Sequence, residues 1–307
     1  MSVLQKILSL NVALILCASL YSISYQSTFI IKLILLMLIG LVAEILITFI
    51  LKQKIRYYGL GSLFLAGVLT CSLPPTMPFI MIIIGIIFSV CIAKPFLPRF
   101  GIFLNGVILA RLLLMILFPE ETTKWGSMTD GITSATPLEF YKFYDKPWEI
   151  ITWTTILFGP INGSWIIDGG FTFCNFVPGS PGSNFPILLI FIGIILSIKG
   201  ISNWRTSIAY AVSFSILNMI FGLNPLYNIL TASSLFCMVF LFSDPYSTPR
   251  NNNGKWIFGL IIGIVNAIIR EWGFLEVPYT EAIVFAIIFA NLIMPTINKL
   301  LIPAKNH

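Results

Sequence analysis

The sequence has few charged residues and a single histidine. Charged residues make up 10% of the chain against 57% hydrophobic residues, and the only histidine is the terminal His307. Because soluble domains carry about 25% charged residues, this composition excludes an ordinary soluble protein and indicates an integral membrane protein. The net charge of +6 does not indicate nucleic-acid binding, since the basic residues are scattered at the ends of apolar runs, as membrane orientation requires.

Closely spaced cysteines are also missing. The five cysteines, which are Cys17, Cys71, Cys91, Cys174 and Cys237, are dispersed and form no Cys-x-x-Cys pair. A zinc or iron–sulfur site needs ligands at close spacing, so no metal site is predicted and the cysteines are expected to act as small hydrophobes. No cleavable signal peptide is predicted, because the first apolar run lacks a convincing cleavage site.

Long apolar runs predict an all-α integral membrane fold of about ten transmembrane helices, each needing about 20 residues. The predicted spans are 7–25, 28–51, 60–76, 77–93, 101–118, 185–199, 204–222, 225–243, 255–270 and 281–300.

Residues 63–93 and residues 230–270 share one sequence pattern, in which a proline-rich break separates two apolar spans. This favours two inverted repeats of five helices, at 1–118 and 185–307, with broken helices. Residues 119–184 would form an extracytoplasmic loop and a re-entrant segment. The alternative is that the prolines simply end helices at the membrane interface.

The charges predict an orientation. With the N-terminus inside, most basic residues fall in cytoplasmic segments and most acidic residues on the opposite side, which satisfies the positive-inside rule. We therefore expect a multi-pass protein of the bacterial cytoplasmic (inner) membrane, with both termini cytoplasmic and the segment around residue 136 outside.

One polar stretch in the loop between the predicted repeats carries a motif, Asp130-Gly131-Ile132-Thr133-Ser134-Ala135-Thr136-Pro137-Leu138. Asp130 and Gly131 predict a turn, and the small residues that follow leave room for another protein to close over the backbone. Thr136 offers a hydroxyl, and Pro137 favours an extended conformation for it. The alternative is a polar surface turn without special function.

This motif resembles the flavin-attachment site of the RnfD subunit of the Rnf electron-transport complex and the NqrB subunit of the sodium-translocating NADH:quinone reductase. The resemblance implies that a flavin transferase links FMN through its phosphate to Thr136. The transferase would recognise Asp130, Gly131, Thr133, Ser134 and Ala135. Further segments resemble the family in the expected order: Leu73-Pro74-Pro75-Thr76, Phe176 to Gly182, Trp204-Arg205, and Asp244-Pro245 with Thr248-Pro249.

The Pro178 to Gly182 segment is a second candidate for cofactor contact. Gly179, Ser180 and Gly182 could form a backbone cradle near the flavin, because glycine permits close approach. A plain glycine–proline re-entrant turn explains the same residues equally well. The family continues this loop with Glu-Thr, whereas Ser183-Asn184 follows here, and this departure bears on whether a second, non-covalent flavin binds.

Glu44 and Arg111 fall inside predicted spans, where ionisable residues are costly and usually paired or functional. Their predicted depths are similar, so a structural Glu44–Arg111 pair is the preferred interpretation, and a cation path through Glu44 is the functional alternative. Lys32 is expected to reach the outer surface with its ammonium group.

The resemblance implies an electron-carrying membrane subunit of an ion-translocating complex, with covalent FMN on the extracytoplasmic side and no turnover on its own. Its implied partners are other membrane and peripheral subunits, the flavin transferase and the lipid bilayer. Two alternatives stay open. The first is a channel or secondary transporter on the same scaffold without a redox cofactor, and the second is an assembly subunit that has lost the flavin.

Overall fold

The structure is a computed structural model that describes residues 3–24, 26–52, 59–100, 104–123, 157, 165–166, 172–173, 180–231, 233–244, 247–249, 251–272 and 281–301. The predicted attachment motif at 130–136 and Gly179 lie outside these residues. Of the predicted cofactor-contact residues, only Ser180 and Gly182 are described.

Helices dominate the described residues, which confirms the predicted all-helical class. Two strands of two residues each, β1 (Trp165–Ile166) and β2 (Thr172–Phe173), pair antiparallel. The helices are α1 (Val3–Ser24), α2 (Phe29–Ile50), α3 (Leu60–Ser72), α4 (Phe79–Ile87), α5 (Gly106–Leu117), α6 (Pro119–Thr123), α7 (Pro186–Ile198), α8 (Trp204–Ile220), α9 (Pro225–Thr231), α10 (Asn252–Trp272) and α11 (Ala282–Leu301).

Several of these helices have the length and apolar character of membrane spans. Within the described residues, four are long and apolar enough to cross a bilayer: Val3–Ser24, Phe29–Ile50, Phe79–Arg99 and Asn252–Glu271. Leu60–Ser72, Gly106–Leu117, Pro186–Ile198 and Ala282–Thr296 are shorter apolar helices. Many large apolar side chains on these helices remain exposed, as expected where lipid rather than water surrounds the protein.

The first proline-rich break lies between α3 and α4, as predicted. Its free backbone carbonyls are bonded by a lysine from α2: Lys32 Nζ donates to Pro75 O at 2.9 Å and to Met77 O at 2.7 Å. That the ammonium group of Lys32 reaches the outer surface stays a prediction. Its ammonium group turns to the break because carbonyls beyond a helix end need donors that hydrocarbon cannot supply.

A second interruption divides the predicted span 225–243, which the sequence pattern indicated to be continuous. Helix α9 ends at Thr231, and a separate helical piece begins at Ser234 and continues as a π-helical turn, Cys237–Leu241. Arg270 of α10 stabilises this interruption, since its guanidinium donates to Asn228 O at 3.0 Å and to Ser234 Oγ at 3.2 Å. Arg270 is 1% exposed.

Two other span boundaries differ from the predicted ones. The helical segment predicted over 77–93 contains a π-helical turn, Phe88–Ala93. It extends past residue 93 and ends in a 3₁₀ turn, Leu97–Phe100. The predicted span 101–118 begins only at Gly106, because Asn105 Oδ1 accepts hydrogen bonds from the backbone N–H groups of Val107 and Ile108 and caps α5.

Glycines let α8 and α10 pack closely side by side. Gly259 and Gly263 have the small-xxx-small spacing of membrane helix interfaces. A Cβ atom at Gly259 would lie 2.8 Å from Ala209 Cβ, and one at Gly263 would lie 2.7 Å from Tyr210 O. Gly259 lies beside Ala209, and Gly263, one turn later in α10, lies beside Tyr210, further along α8. The two helices therefore run parallel.

The first part of the chain shows the same relation. Gly40 of α2 lies beside Ile86 of α4, and Glu44 lies beside Lys94 just beyond α4, so these two helices also run parallel. By contrast, Lys6 near the start of α1 donates to Gly200 O just after the end of α7 at 3.1 Å. The helices α1 and α7 therefore run in opposite directions. One continuous core joins both parts of the chain, with the rings of Phe64 and Phe240 6.3 Å apart.

We predict that Gly263→Ala lowers the thermal unfolding midpoint of the purified chain in detergent. The new methyl group would clash with the backbone of α8, and overpacking costs about 1–3 kcal/mol. Gly61→Ala is the control, because the nearest atom to a Cβ there is Lys94 Nζ at 3.7 Å. Alanine is the better helix former, so this variant should match or exceed the wild type. Equal midpoints for Gly263→Ala and wild type would contradict the close packing.

Candidate functional site

The described part of the Pro178–Gly182 segment packs against protein. The backbone N–H of Gly182 donates to Cys71 O at 2.9 Å, and a Cβ atom there would lie 2.7 Å from Cδ2 of Phe236. Ser183 N donates to Ser180 O at 2.9 Å, which closes a turn. The close approach that glycine permits at Gly182 is thus to the ring of Phe236, and this geometry favours the re-entrant turn over a cofactor cradle at that residue.

Glu44 forms an ion pair within the first part of the chain. Lys94 Nζ lies 2.7 Å from Glu44 Oε1 and 2.8 Å from Ser62 Oγ. Glu44 is 4% exposed, and its Oε2 accepts no hydrogen bond from any described residue. Because a buried carboxylate oxygen is costly to leave unpaired, Glu44 retains capacity to bind a cation or a hydrogen-bond donor.

Glu44 and Lys94 line a cavity of about 370 Å³. Most of its wall is apolar, and the polar groups converge from separate helices, as in many ligand sites. Its apolar lining includes Leu10, Phe64, Leu65, Val90, Val107 and Phe240, and its polar lining is Glu44, Thr48, Lys94, Asn105, Ser243 and Asp244.

Asp244, from the second part of the chain, faces the same cavity. Asn105 Nδ2 donates to Asp244 Oδ2 at 3.0 Å, and Ser247 Oγ donates to the same oxygen at 2.8 Å. Because Asn105 also caps α5, this network fixes the start of that helix to the segment that follows Cys237–Leu241. The cavity is therefore bordered on one side by contacts between the two parts of the chain.

Arg111 pairs with Glu281 deep in the protein. The guanidinium of Arg111 donates to Glu281 Oε1, and both side chains are buried. The predicted Glu44–Arg111 pair is therefore not formed. Counting residues along a helix predicted similar depths, but it could not reveal that α2 faces the Lys94 segment or that α5 faces the start of α11.

Arg270 is a further buried cation, bonded to Asn228 and Ser234. Its guanidinium lies 4.9 Å from the ring centre of Phe214. Tyr210 OH donates to Ser234 Oγ at 2.9 Å, which connects Tyr210 to the group that Arg270 also binds.

Most of these partners were not predicted from the sequence. Glu281 was expected at the outer end of the predicted span 281–300, and its partner Arg111 was not predicted, although a carboxylate at the start of a helix is stabilised by the helix dipole. Asn105 directly precedes an apolar run, and that is a recognisable capping signal. No signal in the sequence points to the contacts of Lys94 or Arg270, because both contacts depend on how helices distant in the chain pack together.

Buried ion pairs among long apolar helices, with exposed apolar faces around them, define a multi-pass integral membrane protein. Within the described residues, no group of three or more metal-ligating side chains occurs, and Cys17, Cys71, Cys91 and Cys237 are unbridged.

The chain belongs to the NQR2, RnfD, RnfE family, whose model matches residues 1–306. It is 31% identical over 243 residues to NqrB, a subunit of the Na⁺-translocating NADH-quinone reductase, from Stutzerimonas stutzeri (strain A1501), a match that covers 76% of this chain and 57% of that protein. It is 27% identical to the corresponding protein of Klebsiella pneumoniae (strain 342), over 85% of this chain and 63% of that protein.

A third relative belongs to a different complex. The chain is 28% identical over 286 residues to the RnfD-type subunit of the proton-translocating ferredoxin:NAD⁺ oxidoreductase complex of Clostridium ljungdahlii, a match covering 87% of this chain and 81% of that protein. The chain thus spans about three fifths of the length of these two NADH-quinone reductase relatives and most of the length of the Clostridium relative.

We predict that the Arg111–Glu281 pair couples the two parts of the chain. Arg111→Met and Glu281→Gln should each lower the free energy of unfolding in detergent by about 3–5 kcal/mol, because each leaves a buried charge without its partner. The double variant should lose much less than the sum of the two losses. Lys52→Met, at an exposed helix end, is the control and should have little effect. Additive losses would contradict the pairing.

Proposed function

We propose that this chain is an electron-carrying membrane subunit of an ion-translocating electron-transport complex, with FMN linked through its phosphate to Thr136. The motif from Asp130 to Thr136 carries this proposal. Membership of the NQR2, RnfD, RnfE family supports it, because the relatives are named as subunits of Na⁺- and proton-translocating oxidoreductases.

Attachment requires only a hydroxyl from this chain. The oxygen of Thr136 would form a bond to the FMN phosphorus of FAD bound in a flavin transferase, the pyrophosphate bond would break, AMP would leave, and the hydroxyl proton would be released. Such phosphoryl chemistry depends on positioning and charge neutralisation, which the transferase would supply. Asp130, Gly131, Thr133, Ser134 and Ala135 are its recognition residues in this proposal.

We further propose that a second, non-covalent flavin binds in the cavity between the two parts of the chain. Its apolar wall suits a flat ring system, and Asn105, Asp244 and Ser243 offer amide, carboxylate and hydroxyl groups at one edge. Glu44 Oε2, to which no described residue donates, adds an acceptor. A bound flavin would supply one- and two-electron transfer, and the protein groups around it would hold and orient the ring.

We further propose two inverted repeats of five helices, at 1–118 and 185–307, with 119–184 between them. The opposite directions of α1 and α7 support inversion, and parallel packing of the second and fourth helices in both parts supports an internal repeat. The positive-inside pattern supports cytoplasmic termini and an extracytoplasmic flavin loop in a bacterial inner membrane. Other membrane and peripheral subunits would complete the complex.

A channel or secondary transporter without a redox group is the second candidate. The cavity supports it, because a buried carboxylate beside broken helices is typical of solute and ion paths. In the electron-transport proposal, Glu44 would instead serve a cation path coupled to electron flow. Solute flux into liposomes by flavin-free protein would favour the transporter.

We predict that the chain gains the mass of one esterified FMN when it is made together with a flavin transferase. Intact-mass spectrometry of the purified chain measures this gain directly, and fluorescence in a denaturing gel should accompany it. Thr136→Ala should abolish both signals, whereas the control Thr123→Ala, outside the motif, should keep them. An unmodified wild-type chain, or equal labelling of Thr136→Ala, would contradict covalent attachment.

We predict that the cavity residues determine the content of non-covalent flavin. Asn105→Leu removes a donor and an acceptor at the cavity edge, and should reduce the flavin released on denaturing the purified protein at least about fivefold, since an unpaired buried partner costs ~1–3 kcal/mol. Asn253→Leu, an exposed site outside the cavity, is the control. Unchanged flavin release from Asn105→Leu would exclude this cavity, while the covalent label at Thr136 would remain a separate question.

A further inference from the structure

Four helix ends meet at one face of the bundle. Lys6 near the start of α1 donates to Gly200 O just after α7. Thr206 Oγ1 in the first turn of α8 donates to Lys255 O in the first turn of α10 at 3.2 Å. Trp204 and Trp256 contact each other edge to face, with ring centres 5.8 Å apart. These contacts bring basic and aromatic side chains together.

Three cations converge there. Arg205 lies over the ring of Trp204, with 4.5 Å from Cζ to the ring centre. Lys6 reaches Gly200, and Arg205 lies next to Thr206, which bonds the backbone of Lys255. Side chains of like charge are costly to hold close together, so a negative charge would stabilise this grouping.

This chain does not supply that charge within the described residues, where the ion pairs are Lys94–Glu44 and Arg111–Glu281. The sequence also has no aspartate or glutamate in residues 1–43, 200–243 or 245–270, which contain the three cations and the helix ends that carry them. Asp244 falls between two of these ranges, and its Oδ2 accepts hydrogen bonds from Asn105 and Ser247. An anion from outside the chain would balance the three cations.

An exposed apolar surface begins directly beside the cations. Trp204 and Trp256 are 39% and 36% exposed. Along α8 and α10, the exposed side chains that follow them at helical spacing are all apolar, namely Ile208, Val212 and Ile216, and Leu260 and Ile264. A ligand that matches both surfaces has an anionic end and long apolar chains.

We propose that Lys6, Arg205 and Lys255, with Trp204 and Trp256, bind the headgroup of an anionic phospholipid whose acyl chains lie along α8 and α10. The lysines and the arginine neutralise the phosphate, and the two indoles occupy the headgroup level, where tryptophan is enriched. The apolar strip distinguishes this ligand from free phosphate. This binding site does not depend on any flavin.

The test is a titration of the delipidated, full-length chain in neutral detergent with phosphatidylglycerol and with phosphatidylcholine, read by native mass spectrometry. Wild-type protein should bind phosphatidylglycerol at least about tenfold more tightly. The double variant Arg205→Gln/Lys255→Gln should bind it roughly thirtyfold more weakly. The matched control is Lys52→Gln/Arg99→Gln, which removes the same charges elsewhere and should bind like wild type.

Several results would overturn the site. These are equal binding of the two lipids, equal losses in the test and control variants, or displacement of the lipid by glycerol phosphate at the same concentration, which would mean that the cations select a free phosphate. Should the double variant not fold, Lys6→Gln replaces it, because its described hydrogen bond is to the Gly200 carbonyl alone. It should weaken phosphatidylglycerol binding roughly fivefold, and wild-type affinity in this variant would also overturn the site.

Discussion

Interrupted helices inside a membrane must bond their free backbone groups within the protein, and this constraint organises the structure. Each unpaired N–H or C=O in hydrocarbon costs several kcal/mol. Lys32 bonds two carbonyls of the first break, and Arg270 bonds the Asn228 carbonyl and the Ser234 hydroxyl at the second interruption. Asn203 Nδ2 donates to Phe242 O at 2.8 Å where the π-helical turn ends. Side chains with several donors thus replace the missing helical hydrogen bonds.

The same constraint decides where a ligand or an ion can enter. The cavity lies where the helix beginning at Gly106, the end of the Cys237–Leu241 turn and the Lys94 segment meet, and all three are places where regular helix starts, stops or changes. Close packing shuts the interface between regular helices at Gly259 and Gly263. Polar groups are therefore concentrated where backbone geometry already requires them.

The apolar runs predicted the helices well, because burial in lipid leaves composition as the dominant signal. The partners of the buried charged side chains were harder to predict from the sequence. Nothing in the local sequence around Lys32 or Arg270 indicates whether the side chain bonds a helix break or lies at the membrane surface. The pair expected between Glu44 and Arg111 failed because depth along a helix does not specify which neighbour it faces. The start of α5 could have been predicted from Asn105, whose capping role is local.

The buried charges fall into two kinds that differ in what they connect. Lys94 and Glu44 pair between α2 and the segment after α4, at a cavity wall, where no described residue donates to Glu44 Oε2. Arg111 and Glu281 pair between α5 and the start of α11, within the core. The two pairs share no side chain, and neither Arg111 nor Glu281 lines the cavity. The Arg111–Glu281 pair therefore joins the two parts of the chain away from the cavity wall.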